Sequence, residues 1–331
     1  MNNSKIKNTM KSKLIFKSFL VAFLGIIILG CSSNKKSTST KDNDLPVVYF
    51  TKSITPDGLM EAYRSLGRDL KGKVAVKIST GEAGNHHYLS PDLIKNLVQS
   101  LNGTIVECNT AYEGKRFKTE EHRKVAEEHG FTAIAHVDIM DENGSISLPF
   151  SEGKRIKEDL VGANFANYNS WLVLSHFKGH AMGGFGGAIK NLSIGIASTE
   201  GKTWIHSGGT SKTDAWHGEQ NAFLESMADA AGAVMKSVGN KVAYINVMNH
   251  LSIDCDCDGN PAPPELDDIG ILASLDPVAL DKACVDLIYQ SDTQRSKTLR
   301  ERIESRNGML TLTHAEELGL GSQKYKLVEI K

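Results

Sequence analysis

Along the chain after residue 46, short apolar runs alternate with segments in which apolar residues recur at helical spacing. An unbroken apolar run predicts a strand buried on both faces, and recurrence every three or four positions predicts a helix with one buried face. The strands predicted in this way span 74–78, 104–108, 133–137, 145–150, 171–174, 242–247, 269–273 and 325–330, the last at an edge. The predicted helices span 90–101, 119–129, 217–237, 277–288 and 296–306. Strands and helices that alternate in this order are typical of an α/β fold with a largely parallel sheet.

Capping residues mark the start of three of these helices. Ser90 precedes Pro91, and Asp276 precedes Pro277. A short polar side chain followed by proline is a common helix start, because the side chain accepts an orphan N–H and proline lacks one. Thr119 is predicted as a third N-cap. The positions of these helices therefore rest on local chemistry as well as on periodicity.

The first 30 residues have the composition of a targeting segment. They contain five lysines and no acidic residue, and the apolar stretch 19–29 is shorter than the roughly 20 residues that a membrane span needs. The residues that end at Cys31 resemble the lipobox of bacterial lipoproteins, in which the cysteine is lipidated and becomes the mature N-terminus. We therefore expect a signal peptide at 1–30 and a lipid on Cys31. The alternative is an uncleaved anchor helix.

The rest of the chain divides into a tether and two lobes. Residues 31–45 are polar and predict a flexible tether. An N-terminal α/β lobe is expected at 46–170 and a C-terminal lobe at 171–331. With a lipid as the anchor, we expect the body to lie outside the cytoplasm, attached to the cell membrane or the outer membrane.

The charge of the body argues against nucleic acid as a partner. The whole chain has a formal net charge of −1, with 38 basic and 39 acidic residues. Without the five lysines of the targeting segment, 33 basic residues face 39 acidic ones, a net charge of about −6. A nucleic-acid-binding domain is typically basic, so no nucleic-acid footprint is expected.

The segment 171–206 carries the strongest functional pattern of the chain. A predicted strand leads into a loop with His176 and His180, and Lys190, Asn191 and His206 follow. Glycine lets a backbone adopt positive φ and approach a ligand closely. The candidate cofactor-binding residues are Gly183, Gly184, Gly186, Gly187, Lys190 and Asn191. Imidazole and amine groups bind metals, move protons or form covalent adducts, so His180 and Lys190 are the catalytic candidates. The alternative is a glycine-rich surface loop with incidental histidines.

The loop 254–265 is a second candidate site. Cys255 and Cys257 lie two residues apart and could bind iron, nickel or zinc as thiolates. We expect His176 and His206 as metal ligands as well, and His180 or His250 are alternative partners for the two thiolates.

Three further interpretations of this loop stay open. Residues 254–265 match the calcium-loop pattern D-x-D-x-D-G-x5-E, although prolines and a preceding strand replace the flanking helices of an EF-hand. A disulfide to Cys108 or Cys284 is the second interpretation, since disulfides form outside the cytoplasm. An Asp-rich turn is the third.

The residues 176–195, HFKGHAMGGFGGAIKNLSIG, resemble the bacterial family called domain of unknown function 362. The resemblance continues through 255–257 and 268–283 and covers nearly all of 46–331. Many members of that family carry a ferredoxin-type insert with four cysteines. This chain has no such cysteine run, so a classical four-cysteine cluster is not expected.

The segment GFGGAIKNLSIGI is also similar to a segment of the nickel-pincer lactate racemases. That resemblance implies a two-lobed, lactate-racemase-like α/β fold. It also implies a proton-transfer base at His180, a lysine that tethers the cofactor at Lys190 and a nickel ligand at His206. The chain lacks the racemases' other catalytic histidine, because residues 109–112 read NTAY, and it lacks their Asp-x-x-Arg motif. Racemisation of a 2-hydroxy acid is therefore not predicted.

Together, these patterns predict a lipid-anchored enzyme that depends on a metal or cofactor and acts on a small anionic substrate. Two alternatives remain. One is a non-catalytic metal or iron–sulfur lipoprotein that transfers electrons to a redox partner. The other is a lipoprotein that binds a solute.

Overall fold

The computed structural model describes residues 45–331. The predicted signal peptide, the lipidation site Cys31 and nearly all of the tether lie outside these residues. Within them, no helix is both long and apolar enough to cross a membrane.

Twelve strands and nine α-helices form the described part of the chain. The strands are β1 (Val47–Thr51), β2 (Val74–Lys77), β3 (Thr104–Glu107), β4 (Val137–Ile139), β5 (Ser145–Pro149), β6 (Glu158–Gly162), β7 (Ser170–His176), β8 (Lys178–His180), β9 (Gly184–Gly186), β10 (Val242–Met248), β11 (Gly270–Ser274) and β12 (Lys326–Glu329). The helices are α1 (Pro56–Ser65), α2 (Pro91–Ser100), α3 (Thr119–Glu128), α4 (Ala188–Leu192), α5 (Thr199–His206), α6 (Gln220–Val238), α7 (Pro277–Gln290), α8 (Lys297–Ser305) and α9 (Leu310–Glu317). Short 3-10 helices span Phe131–Ala133 and Ala163–Asn167.

Eight strands form one mixed sheet in the order β12-β1-β11-β10-β7-β2-β3-β4. The neighbours β10, β7, β2, β3 and β4 are all parallel, and β11 alone runs against the other seven. The predicted α/β class with a largely parallel sheet is confirmed. Two hairpins, β5-β6 and β8-β9, lie outside this sheet.

Strand β7 is central, and both of its faces are buried. Trp171 and Val173 contribute to one apolar cluster, which includes residues of α6 and α7. Leu172 and Leu174 contribute to the cluster on the other face, with residues of α1 and α2. Side chains alternate between the faces of a strand, so a run of apolar residues is what a strand covered on both sides requires.

The expected division into two lobes does not correspond to two separate sheets. Strand β7 begins at Ser170 and pairs with β2 on one side and with β10 on the other. The described residues also belong to one compact unit. The boundary near residue 170 therefore falls at the start of β7, in the interior of one sheet.

Most predicted elements are present, and the strand predicted at 133–137 is displaced. Phe131 is fully buried and begins a 3-10 helix directly after Gly130, whose φ is +85°. The strand itself, β4, begins only at Val137. Burial of the phenylalanine at the end of α3 holds this segment in a turn, which an apolar pattern alone does not show.

Candidate functional site

A cavity lies at the carboxyl edge of the parallel strands. The ends of β2, β3 and β7 supply Lys77, Glu107 and His176 to its wall. In open α/β sheets, ligands bind in the crevice outside the carboxyl ends of the strands. The cavity measures about 140 Å³, and cavities of about 150 Å³ hold a molecule the size of benzene. The site is therefore sized for a small ligand.

The glycine-rich segment folds into a hairpin and two helices that carry the predicted side chains to this cavity. His180 ends β8 and pairs with Gly184 of β9, where φ is +80°. Helix α4 then carries Lys190, and α5 ends at His206. The carboxylate of Asp281 accepts the first two N–H groups of α4, at 2.7 and 2.9 Å, and so fixes the start of that short helix.

The predicted cofactor-binding glycines separate into two pairs. Gly186 and Gly187 line the cavity together with Lys190 and Asn191. Gly183 and Gly184 do not line it. A Cβ on Gly184 would lie 3.1 Å from the Cα atoms of Ile303 in α8 and of Gly308 in the loop after it, so this glycine serves close packing of the chain against itself.

The charge in the wall is unbalanced. Two carboxylates, Glu107 and Asp256, face five cationic side chains, which are Lys77, Arg116, Lys178, Lys190 and Lys202. Lys77 lies 2.7 Å from Glu107, and Lys178 lies 3.0 Å from Asp256. The Lys202 ammonium donates to the Ala197 carbonyl. Among the described residues, the Lys190 ammonium has neither a hydrogen-bond acceptor nor an ion-pair partner.

The local field sets the protonation of this cluster. Burial lowers the pKa of Lys190 to about 8, and the positive charges of Lys77 and Arg116 act in the same direction. Burial raises the pKa of Glu107, but the same two cations outweigh it and hold that pKa at about 2. At neutral pH, Glu107 is therefore a carboxylate and Lys190 is mostly an ammonium that the protein leaves unpaired.

His180 and His206, both in the cavity wall, have opposite tautomers. Nδ1 of His180 accepts the N–H groups of Gly183 at 2.8 Å and Met182 at 3.3 Å, so the ring hydrogen is on Nε2. Nδ1 of His206 lies 2.7 Å from the Lys202 carbonyl and must donate to it. Nε2 of His206 therefore has a lone pair. Burial lowers the pKa of His206 to about 4 and that of His180 well below its ordinary value, so both rings are neutral at pH 7.

His176 has no nitrogen available for a metal. Its Nδ1 lies 2.9 Å from Asp256 Oδ2, and its Nε2 lies 2.7 Å from the Asn249 carbonyl. Burial raises the pKa of Asp256, but His176 and Lys178 outweigh that effect and hold it at about 2. The ring therefore serves a buried ion cluster that fixes the loop after β10, and the expectation that it binds a metal is not supported by its contacts.

The alternative of a disulfide to Cys108 or Cys284 is wrong. Cys255 is bonded to Cys257, with the two Cα atoms 5.3 Å apart, and both residues line the cavity. Cys108 and Cys284 are buried free thiols. A nitrogen of His180 and the sulfurs of Cys255 and Cys257 lie within 4.8 Å of one another.

The calcium-loop carboxylates face separate partners. Asp254 accepts the Ala262 N–H at 3.1 Å, and Glu265 accepts the Thr298 hydroxyl at 2.7 Å. Asp256 points into the buried ion cluster instead. Calcium needs six to eight oxygen ligands around one point, so this arrangement does not form a calcium site.

Sequence reasoning missed most of the cationic wall. Lys77 and Glu107 stand inside predicted strands, and a charge within an apolar run is a signal that could have found both. Arg116 lies in an irregular loop and bonds Glu82 at 3.2 Å and Glu107 at 3.4 Å. Nothing in its local sequence indicates that role.

Comparisons with known proteins place the chain by sequence. The family model described as domain of unknown function (DUF362) matches residues 74–286. No curated protein matches the chain. Among solved structures, the chain is similar to the lactate racemase apoprotein from Thermoanaerobacterium thermosaccharolyticum, with 15% identity and a TM-score of 0.39. That match covers 61% of this chain and 50% of the other.

A protein from Thermotoga maritima is similar at 17% identity and a TM-score of 0.39, over 70% of this chain and 57% of the other. The chain thus spans only about half the length of these solved structures. The family assignment rests on the sequence model, which matches well over half of the chain. The chain belongs to the DUF362 family.

Proposed function

We propose that this protein is an enzyme that binds a small anionic substrate in the cavity and acts on it with His180, Lys190 and His206. The observation that carries this proposal is the unpaired ammonium of the half-buried Lys190, in a wall with five cationic side chains and two carboxylates. Removing a charge from water without giving it a partner is costly, and the site offers that charge to an anion. The size of the cavity favours a carboxylate or phosphate of a few heavy atoms.

The tautomers assign distinct roles to the two histidines. His180 presents an N–H to the cavity and can donate a hydrogen bond to a substrate oxygen. His206 presents a lone pair and can take a proton or bind a metal. Both rings are neutral at pH 7, which suits both roles, because neither ring carries a charge that would compete with that of Lys190 for the anion. The resemblance to the racemases selects His180, Lys190 and His206 by spacing alone, which supports treating them as one site.

A metal or cofactor is the second part of the proposal. In the disulfide form, His206 is the one predicted metal ligand with a free lone pair, since His176 is fully bonded and the two sulfurs are joined. Reduction would expose two thiolates beside His180. The donor set therefore fits iron, nickel or zinc only in the reduced protein, and a bound metal would act there as a Lewis acid.

Anion binding tests the first part. We expect phosphate or a small 2-hydroxy carboxylate to raise the melting temperature of the wild type, and Lys190→Met to abolish the rise. Lys71→Met is the matched control, because that lysine is 80% exposed. Equal shifts in the wild type and Lys190→Met would sink the proposal.

Elemental analysis tests the second part. The protein is purified without oxygen, with and without reductant, and compared with a Cys255→Ser/Cys257→Ser variant. We expect stoichiometric metal in the reduced wild type alone. Equal metal content in all samples would exclude the thiolates as ligands.

Solute binding without catalysis is the second candidate function, because the anion cavity alone would serve it. Measurement of turnover distinguishes an enzyme from a solute-binding protein. If ligands bind at Lys190 and are released unchanged in every metal-loaded state, the chain is a binding protein.

We also propose lipid attachment at Cys31, with the body outside the cytoplasm. The lipobox-like residues support it. Fractionation of cells that express the wild type or Cys31→Ala tests it, since the variant should leave the membrane fraction. An unchanged membrane fraction would contradict the proposal.

A further inference from the structure

We propose that Cys255 and Cys257 form a thiol–disulfide exchange centre in the cavity wall, and that its reaction partner is a small thiol that carries a negative charge. This activity is separate from the acid–base chemistry proposed above. It needs only the observed disulfide and the observed charge of the wall.

The disulfide lies where a small molecule can reach it. Both cysteines are half-buried and both line the cavity, whereas Cys108 and Cys284 are 2% and 0% exposed. A disulfide that only stabilises a fold does not need to be accessible from a cavity of ligand size. Thiol–disulfide exchange requires access of the attacking sulfur, and this pair offers it.

The loop that carries the pair is held in place without the disulfide. Asp256, the residue between the two cysteines, bonds His176 at 2.9 Å and lies 3.0 Å from Lys178, all of them buried. The Tyr112 hydroxyl donates to the Cys257 carbonyl at 3.0 Å. When the S–S bond opens, the loop therefore keeps the two sulfurs beside each other. Re-formation of the disulfide requires this proximity.

The surroundings favour thiolates and anionic partners. A nitrogen of His180 lies within 4.8 Å of both sulfurs, and this ring carries its hydrogen on Nε2. The excess cations of the wall stabilise a thiolate that leaves the disulfide. The same charges attract a thiol that carries a carboxylate and repel a thiol that carries an ammonium.

The exchange balances in two steps. The thiolate RS⁻ attacks one Sγ, so the R–S–Sγ bond forms, the Sγ–Sγ bond breaks and the electron pair stays on the leaving sulfur, which takes a proton from water. A second RS⁻ then attacks the R–S sulfur of the mixed disulfide and releases RS–SR and the second protein thiolate, which also takes a proton from water. The protein disulfide is reduced by two electrons, and two RSH are oxidised to RSSR.

Three thiols of similar size and different charge test the proposal on the unmodified protein. Mercaptopropionate is anionic, mercaptoethanol is neutral and cysteamine is cationic. The rate of disulfide reduction is measured by alkylation and mass spectrometry, and each rate is divided by the rate of the same thiolate with a neutral small disulfide. We expect the anionic thiol to be about tenfold faster than the neutral one, with the advantage falling as salt is added. Equal normalised rates, or reduction only after unfolding, would overturn the proposal.

Single-cysteine variants give a second readout. Cys255→Ser and Cys257→Ser each leave one thiol in the cavity, which should form a mixed disulfide with dithiodipropionate. Cys108 and Cys284 are internal controls, because burial raises the pKa of both thiols and they should stay unmodified. Modification of the buried thiols instead of the cavity thiol would contradict the assignment.

Failure here is distinguishable from failure of the proposed function. Phosphate binding by the wild type, and its loss in Lys190→Met, report on the proposed function alone. If both are observed while the charge preference of the thiols is absent, only the exchange centre is refuted.

Discussion

At the scale of single residues, charge that the protein leaves unpaired defines the site. Lys77, Arg116 and Lys178 all have carboxylate partners, and Lys190 has none among the described residues. The sequence predicted Lys190 and His180 because they lie in a glycine-rich loop. It did not predict their partners, since pairing across strands depends on which strands become neighbours.

The pH dependence of anion binding follows from Lys190. Its pKa is about 8, so the ammonium is present below that pH and is lost above it. We expect affinity for phosphate, measured by calorimetry, to fall as the pH rises from 7 to 9.5. Lys190→Arg should remove this fall, because a guanidinium stays charged over the whole range. A fall of the same size in Lys190→Arg would assign the pH dependence to another group.

The stability of the site depends on Glu107. This buried carboxylate pairs with Lys77 and Arg116, so Glu107→Gln leaves the buried Lys77 ammonium without a carboxylate and Arg116 with Glu82 alone. We expect the free energy of unfolding, from urea titration at pH 7, to fall by about 3–5 kcal/mol. Glu121→Gln removes an exposed partner of Lys115 and is the control, with a change too small to resolve.

Acid titration gives the sign of the Glu107 contribution. The folded pKa of about 2 lies below the unfolded value of about 4.3. The stabilisation is therefore complete above pH 4.3 and is lost as the pH falls toward 2. If the wild type and Glu107→Gln kept the same difference in stability down to pH 2, the ion pair would not be its source.

At the scale of elements, the sequence predicted long periodic segments well and short ones poorly. Asp276 caps α7 as expected, with its carboxylate accepting the N–H groups of Val278 and Ala279 at 2.9 Å. The predicted cap Thr119 is instead the first residue of α3. Helix α4 has five residues, fewer than two turns, so no periodicity marks it. Asp281, far along the chain, fixes its position.

Gly186 and Gly187, the two residues before α4, differ in the atoms that an added side chain would contact. A Cβ on Gly187 would lie 2.2 Å from Oδ1 of Asp281, which caps α4. A Cβ on Gly186 would lie 3.0 Å from Cδ of Lys190, a flexible side chain. We expect Gly187→Ala to lower the free energy of unfolding by about 1–3 kcal/mol. Gly186→Ala should leave stability nearly unchanged and weaken phosphate binding.

Denaturant titration and calorimetry on the same two variants check this prediction. If Gly187→Ala is as stable as the wild type, Asp281 does not hold α4 in the way described. If Gly186→Ala binds phosphate normally, the lysine side chain does not need its present position.

At the scale of the whole molecule, the sheet joins the two halves of the sequence. The order of elements along the chain predicts the α/β class, but the pairing of β7 with strands from both sides is a long-range contact. The disulfide partner of Cys255 was not predicted for a different reason. Cys257 lies only two residues away, and the pair was interpreted as two metal ligands.

Helices α6 and α9 are joined by a buried ion pair that should make stability depend on pH. His314 Nε2 lies 2.9 Å from Asp229 Oδ1. Burial lowers the pKa of His314, but Asp229 outweighs it and the pKa is raised. The stabilisation from this proton is therefore complete below about pH 6.5 and is lost as the pH rises through the folded pKa.

We expect His314→Gln to cost more stability at pH 5.5 than at pH 9, measured by urea unfolding. His217→Gln is the control, because that ring is 85% exposed and pairs only with Asp214 at 2.6 Å. A loss that is equal at both pH values would show that the side chain acts by packing alone.

We propose that the unpaired Lys190 ammonium binds a small anion. Anomalous X-ray diffraction from crystals soaked in selenate, an oxyanion similar in size to phosphate, shows directly whether it does. We expect one strong selenium peak in the cavity, within hydrogen-bond distance of Lys190 Nζ, and no such peak in Lys190→Met crystals. A peak elsewhere on the protein, or a cavity without selenium in the wild type, would contradict it.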